Sequence, residues 1–447
     1  MTTPDEASLR DEATDLLRDL LRIDTSNPPG RETPAALLLK DYLEANGVDC
    51  ELVARDPGRA NLIARIPGDG SGPSLTLLGH TDVVPADAAE WTHPPFSGHL
   101  DADGYVWGRG AVDMKNETAT RAVAMAVLAR SGFRPGGDLV YLAVADEEDG
   151  SERVGLSWLV GERPDIATDY ALNEGGSERF VLADGRVLVT VQIGEKRTLP
   201  VRVTALGTPG HASIPSGAPR AVPRLAALIE RVAAYQPERR LLPATRRLLE
   251  SLGIPPDGDL DAALAAVDAL HPALGPLIRP LFATTIAPTR LAASTALNVM
   301  PARASVDLDC RVLPDSGEAE LRAEVIVALG DDVPYELDFW EEPNGGSISE
   351  IGTPLFDVCR RFVESADPGA IVVPTISTGF TDSHFLRAAF GTVAYGFWPS
   401  RTTPLDVINA GKHAHDERVH VDDLGYATRF HVEAARAIGA LGRSPAP

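Results

Sequence analysis

The sequence predicts an α/β protein of two domains, a larger α/β/α layer with a smaller α/β sandwich inserted into it. Three observations carry this expectation. Short apolar strands alternate with helices over residues 1–195, the pattern of a layered α/β domain. Near Glu195 the rhythm changes to strands with period-two alternation followed by helices, and after Gly345-Gly346 the first pattern returns. A chain of 447 residues also exceeds what one ordinary core supports. The expected spans are 1–195 for the first segment of the larger domain, 196–344 for the insertion and 345–447 for the second segment.

Within the first segment, Leu9, Ala13, Leu16, Leu17, Leu20 and Leu21 fall at helical spacing over residues 8–23, and Asn27-Pro28-Pro29-Gly30 ends the pattern. Residues 33–46 read as a second helix stopped by Gly47. Strands follow near 50–54, 61–66 and 75–79, then an Ala/Val-rich helix over 116–130 and a strand over 139–145. A helix near 154–160 and a strand near 169–172 complete the segment. In the insertion, 199–206 alternates as a strand, a helix runs to about Ala233, and the Leu/Ala/Pro-rich stretch 240–290 reads as a helical addition without polar chemistry. A strand over 305–312, a helix over 318–329 and a strand over 335–339 close it. A helix over 354–364 and strands near 371–373 and 393–397 resume the first pattern.

Composition narrows the function classes. The formal charge of −23 opposes nucleic acid as a partner, because phosphate binding requires Lys/Arg neutralisation. No run of about 18 apolar residues is present, so a membrane span is not expected. The opening MTTPDEASLRDEA is polar and acidic, without a signal-peptide apolar segment, and the expected location is cytoplasmic. Cys50, Cys310 and Cys359 form no CxxC pair, so any metal would depend on His, Asp and Glu.

Five groups end predicted strands or sit in loops: His80/Asp82, Asp113, Glu147/Glu148, Glu174 and His413/His415. Singly, each reads as a solvated loop residue or a helix cap. Together they form a pattern, because one apolar strand after another ends in an acid or an imidazole, where ligands gather in open α/β sheets. Two histidines and three carboxylates suffice for two Zn²⁺ about 3.5–4 Å apart if one carboxylate bridges them. Asp82, two residues after His80, can orient a ring nitrogen. Of two adjacent glutamates at a strand end, one can bind metal while the other faces a bound water.

The motifs GHTDVV, GRGAVDMK, DEE, NEGG, GTPGHAS, NVMPARA, TDSHF and HAHDE run through nearly the whole chain. In that order they resemble the dinuclear zinc metallopeptidase and deacylase family of aminoacylase-1, carboxypeptidase G and succinyl-diaminopimelate desuccinylase. The resemblance implies a zinc-exopeptidase-like catalytic domain with an inserted lid, or dimerisation, domain and a homodimer formed through it. It implies two Zn²⁺ per subunit, with Co²⁺ or Mn²⁺ as alternatives. One would be held by His80, Asp113 and Glu174, the other by Asp113, Glu148 and His413, with Asp113 bridging and a cis peptide following it. Glu147 would be the general base acting on a metal-bridging water, and Asp82 would orient His80. Either His413 or His415 could face the metal; the resemblance favours His413, since the family's ligand lies three residues before an Asp/Asn-Glu pair.

The same resemblance assigns His211, after Gly-Thr-Pro-Gly, to polarising the scissile carbonyl across a dimer interface. Asn298, Arg311 and Gly379 would bind the substrate, Arg311 by gripping a terminal carboxylate. Phe380 stands where many relatives have a second glycine before Thr-Asp, which reshapes the expected pocket. The implied reaction is metal-dependent hydrolysis of an amide next to a free carboxylate. The substrate would be a small peptide (carboxypeptidase or dipeptidase) or an N-acyl amino acid (deacylase). The rival is a non-catalytic metal-binding protein that keeps the fold.

Overall fold

The structure, a computed structural model, describes residues 5–215, 217–339 and 344–442. The first four residues of the acidic N-terminal stretch, and residues 340–343 at the end of the expected insertion, lie outside the described residues. The chain divides into two compact units, one of 1–193, 349–374 and 381–447, the other of 194–348 and 375–380.

In the first unit, strands Leu75–His80, Leu139–Val144, Tyr170–Asn173 and Val393–Gly396 pair in parallel, and Asn61–Ile66 and Asp49–Val53 extend the sheet antiparallel. Parallel strands are buried on both faces and read as near-continuous apolar runs. Leu75–His80 and Leu139–Val144 are accordingly buried along their whole length. One face carries Leu78, Val140, Leu142 and Val144 against Leu156 and Leu159 of helix Leu156–Glu162 and Leu386 of helix Ser383–Phe390. On the other lies helix Lys115–Arg130, buried from Lys115 to Leu128 and contacted by helices Glu6–Leu21 and Val421–Gly439. A helix buried all round belongs inside a layer, not on its surface. The register pairs His80 with Val144, and Leu77 with Leu172. The parallel strands therefore end on one edge, at His80, just before Asp146-Glu147-Glu148, and just before Glu174.

The second unit holds an antiparallel sheet. Arg303–Val312 pairs with Val201–Leu206, and Val201–Leu206 with Tyr335–Phe339. Helices Ala221–Ala234 and Glu318–Leu329 cover one face through Leu225, Leu228, Leu321 and Val325. The stretch 240–290 contains helices Pro243–Ser251, Leu260–Leu270 and Leu274–Ile278, but it does not stay helical. Thr285–Ala292 is a strand on Arg303–Val312, with its register shift between Pro288 and Arg290. The β-branched Thr285-Ile286 opening suits a strand, and a proline is tolerated there because it sits at the irregularity. Several further elements carry no expectation from the sequence, among them strand Val187–Glu195 and helices Ser383–Phe390 and Val421–Gly439. No helix among the described residues is long and apolar enough to cross a membrane.

Candidate metal centre

His80 ends its strand 1% exposed. Its Nδ1 lies 3.0 Å from the main-chain carbonyl of Asp82 and 3.6 Å from that residue's Oδ1. Donation of Nδ1–H to the carbonyl leaves the Nε2 lone pair facing inward, 3.4 Å from Asp113 Oδ1 and 3.9 Å from Glu147 Oε2. The Asp82 carboxylate makes its hydrogen bonds elsewhere. It accepts from the N–H of Glu147 (3.2 Å), the N–H of Glu148 (3.1 Å) and Asn27 Nδ2 (2.9 Å). Asp82 thus orients His80 through its backbone and seats the two glutamates through its side chain.

Asp113 precedes helix Lys115–Arg130, and the Asp113–Met114 peptide is cis. Glu174 is followed by Gly175 and Gly176, both with positive φ (91° and 65°). A Cβ on Gly176 would stand 2.4 Å from the carbonyl oxygen of Gly396, so only glycine lets this loop lie against its neighbouring strand. His413, itself left-handed at φ 56°, brings Nε2 to 3.0 Å from Glu148 Oε2 and 3.5 Å from Asp113 Oδ2. His415 instead faces Asp416, 3.7 Å away.

Ligand atoms of His80, Asp113 and Glu148 lie within 4.8 Å of one another, as do those of His80, Glu147 and Glu174. His413 adjoins the first triad through Glu148 and Asp113. His80 Nε2, Glu148 Oε1 and Glu174 Oε1 are buried with no hydrogen-bond partner, which is costly for polar atoms and asks for a cation. The donor set, imidazole and carboxylate without thiolate, suits zinc, cobalt or manganese. The residues present therefore fit a metal pair.

The electrostatics agree. Burial and then Asp113 push Glu174 up to about 8. Burial and then the neighbouring Glu174 raise Glu147 well above the carboxylate range. Glu148 rises mainly through burial, with His413 opposing. Burial also favours a neutral Asp113, but the imidazoles of His413 and His80 beside it hold it well below the ordinary value. Asp113 and Glu148 in turn raise His413 to about 10. The rises at Glu147, Glu148 and Glu174 mark negative charge crowded in a buried place, where a dication would relieve it.

Asn27 and Arg121 also belong to this framework, and the sequence reading passed over both. Asn27 Nδ2 bridges Asp82 and Asp146 (2.9 and 3.1 Å). Buried Arg121 donates to the carbonyls of Leu78 (2.5 Å) and Asn173 (2.9 Å) and to Glu117 (2.7 Å). It thereby ties the strands that present His80 and Glu174 to the helix after Asp113. In the sequence, Asn27 reads only as a helix stop before two prolines. A cavity of about 50 Å³, lined in part by Asn116, Glu117, Gly175, Trp398 and Lys412, adjoins the same loops.

In the second unit, His211 and Asn298 share a short ladder. His211 pairs with Val299, and Ala212 N–H donates to the carbonyl of Asn298 (2.9 Å). His211 Nδ1 accepts from Ser213 N–H (3.2 Å), with Ser213 Oγ 2.8 Å away, which places the ring proton on Nε2. Arg311 clasps Asp309 with two hydrogen bonds (2.6 and 3.0 Å) and reaches Thr198 Oγ1 (2.9 Å). Gly379 N–H donates to Ser377 Oγ (3.0 Å).

A sequence model described as Peptidase family M20/M25/M40 matches residues 76–437. Aminoacylase-1 of Mus musculus is 29% identical over 448 residues, covering 94% of this chain and 94% of that protein. Succinyl-diaminopimelate desuccinylase of Cereibacter sphaeroides is 29% identical over 421 residues, covering 92% and 94%. Among solved structures, the M20 family metallo-carboxypeptidase Sso-CP2 from Sulfolobus solfataricus superimposes with a TM-score of 0.70 at 20% identity, covering 96% of this chain and 100% of that one.

Proposed function

Because the chain belongs to peptidase family M20/M25/M40, whose members hydrolyse peptide or N-acyl amide bonds with the help of metal, we propose that it cleaves such a bond next to a free carboxylate, using two zinc ions per subunit held by His80, Asp113, Glu148, Glu174 and His413. The observation that carries the reading is the convergence of these side chains, with His80 Nε2, Glu148 Oε1 and Glu174 Oε1 all buried and unpartnered. Bound there, the metal pair would supply Lewis-acid polarisation and a water that ionises near neutral pH.

The rest is chemistry of the chain's own residues. Glu147 is the general base and then the general acid: its carboxylate takes a proton from the attacking water and returns it to the leaving amine nitrogen. Its Oε2 lies 3.9 Å from His80 Nε2 and beside the proposed ligands, as suits a group that must reach a water held there. Asp82 keeps it in place through the Glu147 N–H. His211, with the proton on Nε2, has the tautomer that donates a hydrogen bond to a carbonyl oxygen carrying developing charge. We assign it that role across a homodimer interface, in keeping with its exposed position on the second unit. Asn298, Arg311 and Gly379 are assigned to the substrate's carboxylate end, which requires Arg311 to exchange Asp309 for substrate.

Small peptides and N-acyl amino acids are the substrate classes. A panel of dipeptides, N-acetyl amino acids and long-chain N-acyl amino acids, run beside metal analysis per subunit, tests the proposal. Two metals per subunit and chelator-reversible turnover of at least one class are expected. A fully metal-loaded enzyme inert towards all three would overturn it.

A further inference from the structure

Glu417 is buried and faces a segment that carries a proposed ligand. Its Oε2 accepts from Arg109 Nη1 (2.8 Å) and Gly110 N–H (2.9 Å), and its Oε1 from Val112 N–H (2.6 Å) and Asp113 N–H (2.8 Å). Its main-chain carbonyl accepts from Gly108 N–H (3.0 Å). Nearly every turn of the segment 108–113 is therefore fastened to this one residue. The segment needs fastening, because Gly110 (φ 92°) leaves its backbone free to take other conformations. Glu417 also lies four residues after His413, so it couples the loop of one proposed ligand to the peptide of another.

We infer that Glu417 is a positioning residue for the metal centre: its carboxylate, by gathering the N–H groups of Gly110, Val112 and Asp113, sets where the Asp113 carboxylate stands. This rests on the reading of Asp113 as a shared metal ligand. A buried carboxylate with several donors could equally serve stability alone, and the protein contains the control. Asp423 is also buried and accepts from the N–H groups of Arg401 (2.6 Å), Thr402 (2.8 Å) and Thr403 (2.6 Å) and from Thr403 Oγ1 (2.6 Å). It is the same construction on a loop that presents no proposed ligand.

The test is a cobalt(II) titration of the metal-stripped full-length protein, read by visible absorption, for wild type, Glu417→Gln and Asp423→Asn. The glutamine keeps the shape of the side chain but turns an NH₂ toward N–H donors. Glu417→Gln is expected to bind cobalt about 10–100-fold more weakly, the size typical of losing a group that orients a ligand. Its absorption band should change shape, and kcat should fall with KM little altered. Asp423→Asn should lower the unfolding temperature and leave affinity and spectrum as in wild type. Wild-type affinity and spectrum in Glu417→Gln, or an equal loss in Asp423→Asn, would overturn the inference. If Glu417→Gln does not fold, Glu417→Asp, charged but one methylene short, is held to the same criteria. Wild-type protein that binds no cobalt removes the reading of Asp113 itself, whereas a metal-binding wild type matched by Glu417→Gln sinks this inference alone.

Discussion

Asp82 and Asp307 are two aspartates buried on different units and paired in different ways. Asp82 receives two main-chain N–H groups and an asparagine amide. Asp307 receives two arginines: Arg202 gives it a bidentate pair (2.7 and 3.0 Å), and Arg290 adds a third contact (2.6 Å). A guanidinium on a flexible stem can follow a carboxylate that shifts, and one can replace another. A main-chain N–H cannot move without its loop, so a carboxylate that gathers two of them fixes the backbone it faces. The first arrangement holds Glu147 and Glu148 in place; the second joins neighbouring strands of a sheet. A fixed backbone is therefore expected where acids face N–H groups, and with it preorganisation where that backbone carries chemistry; tolerance to change is expected where they face arginine.

The sharpest way to strengthen that contrast is at the group Asp82 holds. Glu147→Gln should keep its metal complement and lose about 10²–10⁴-fold in kcat, the usual worth of a general acid–base group. Turnover near wild type would remove Glu147 from the mechanism. Asp82→Asn probes the holder instead of the held. One oxygen remains, but an NH₂ now meets an N–H, so about 1–3 kcal/mol of stability should go. Activity should fall roughly 10–100-fold, both to be read from chemical denaturation and steady-state kinetics. Loss of stability with full activity would mean that the Glu147–Glu148 turn keeps its place unaided.

The same contrast explains what was legible in the sequence. His80, Asp113, the Glu147-Glu148 pair, Glu174 and His413 could be singled out because each follows an apolar strand or stands in a motif of known order, and the parallel register turns such strand ends into one rim. Of the holders, Asp82 was legible and Asn27 and Glu417 were not. Glu417 acts on main-chain N–H groups, which every residue but proline possesses, and Asn27 donates to two carboxylates far away in sequence, so no local side-chain pattern advertises either partnership. Among the elements, Leu75–His80 was plain from its apolar run. Thr285–Ala292 reads as part of the helical stretch because it follows three short helices without a break in composition. Val187–Glu195 is a strand in the nine-stranded sheet, yet it falls where the rhythm of the sequence changes and carried no reading at all.

A buried group that lacks any partner should show a third behaviour. His431 lies in helix Val421–Gly439 with neither ring nitrogen hydrogen-bonded. Burial and then Arg121 hold its proton affinity well below the ordinary value. In the unfolded chain the ring titrates near pH 6.5. Below that pH the unfolded state binds a proton that the folded state refuses, so stability is lost as pH falls from about 6.5 towards the depressed folded value. The slope should be about 1.4 kcal/mol per pH unit. His431→Leu should remove that component, so that wild type and variant diverge between pH 7 and pH 5; parallel curves would show that the ring is protonated in the fold.

The smallest effect is expected at Arg290. Its side chain is 70% exposed, against 10% for Asp307, and Arg202 already satisfies both oxygens of that carboxylate. Removing Arg290 therefore strands no charge, which is the circumstance that makes broken pairs costly. What remains is an exposed contact that orders a long side chain and is screened by salt. Such contacts are worth about 0–1 kcal/mol, and screening over about 10 Å at 0.1 M salt reduces this one further. Arg290→Ala should shift the denaturation midpoint slightly at low ionic strength and not measurably at 0.5 M salt. A salt-independent loss above about 2 kcal/mol would mean that arginine here fixes backbone as firmly as the N–H groups around Asp82 do, and the distinction between the two aspartates would fail.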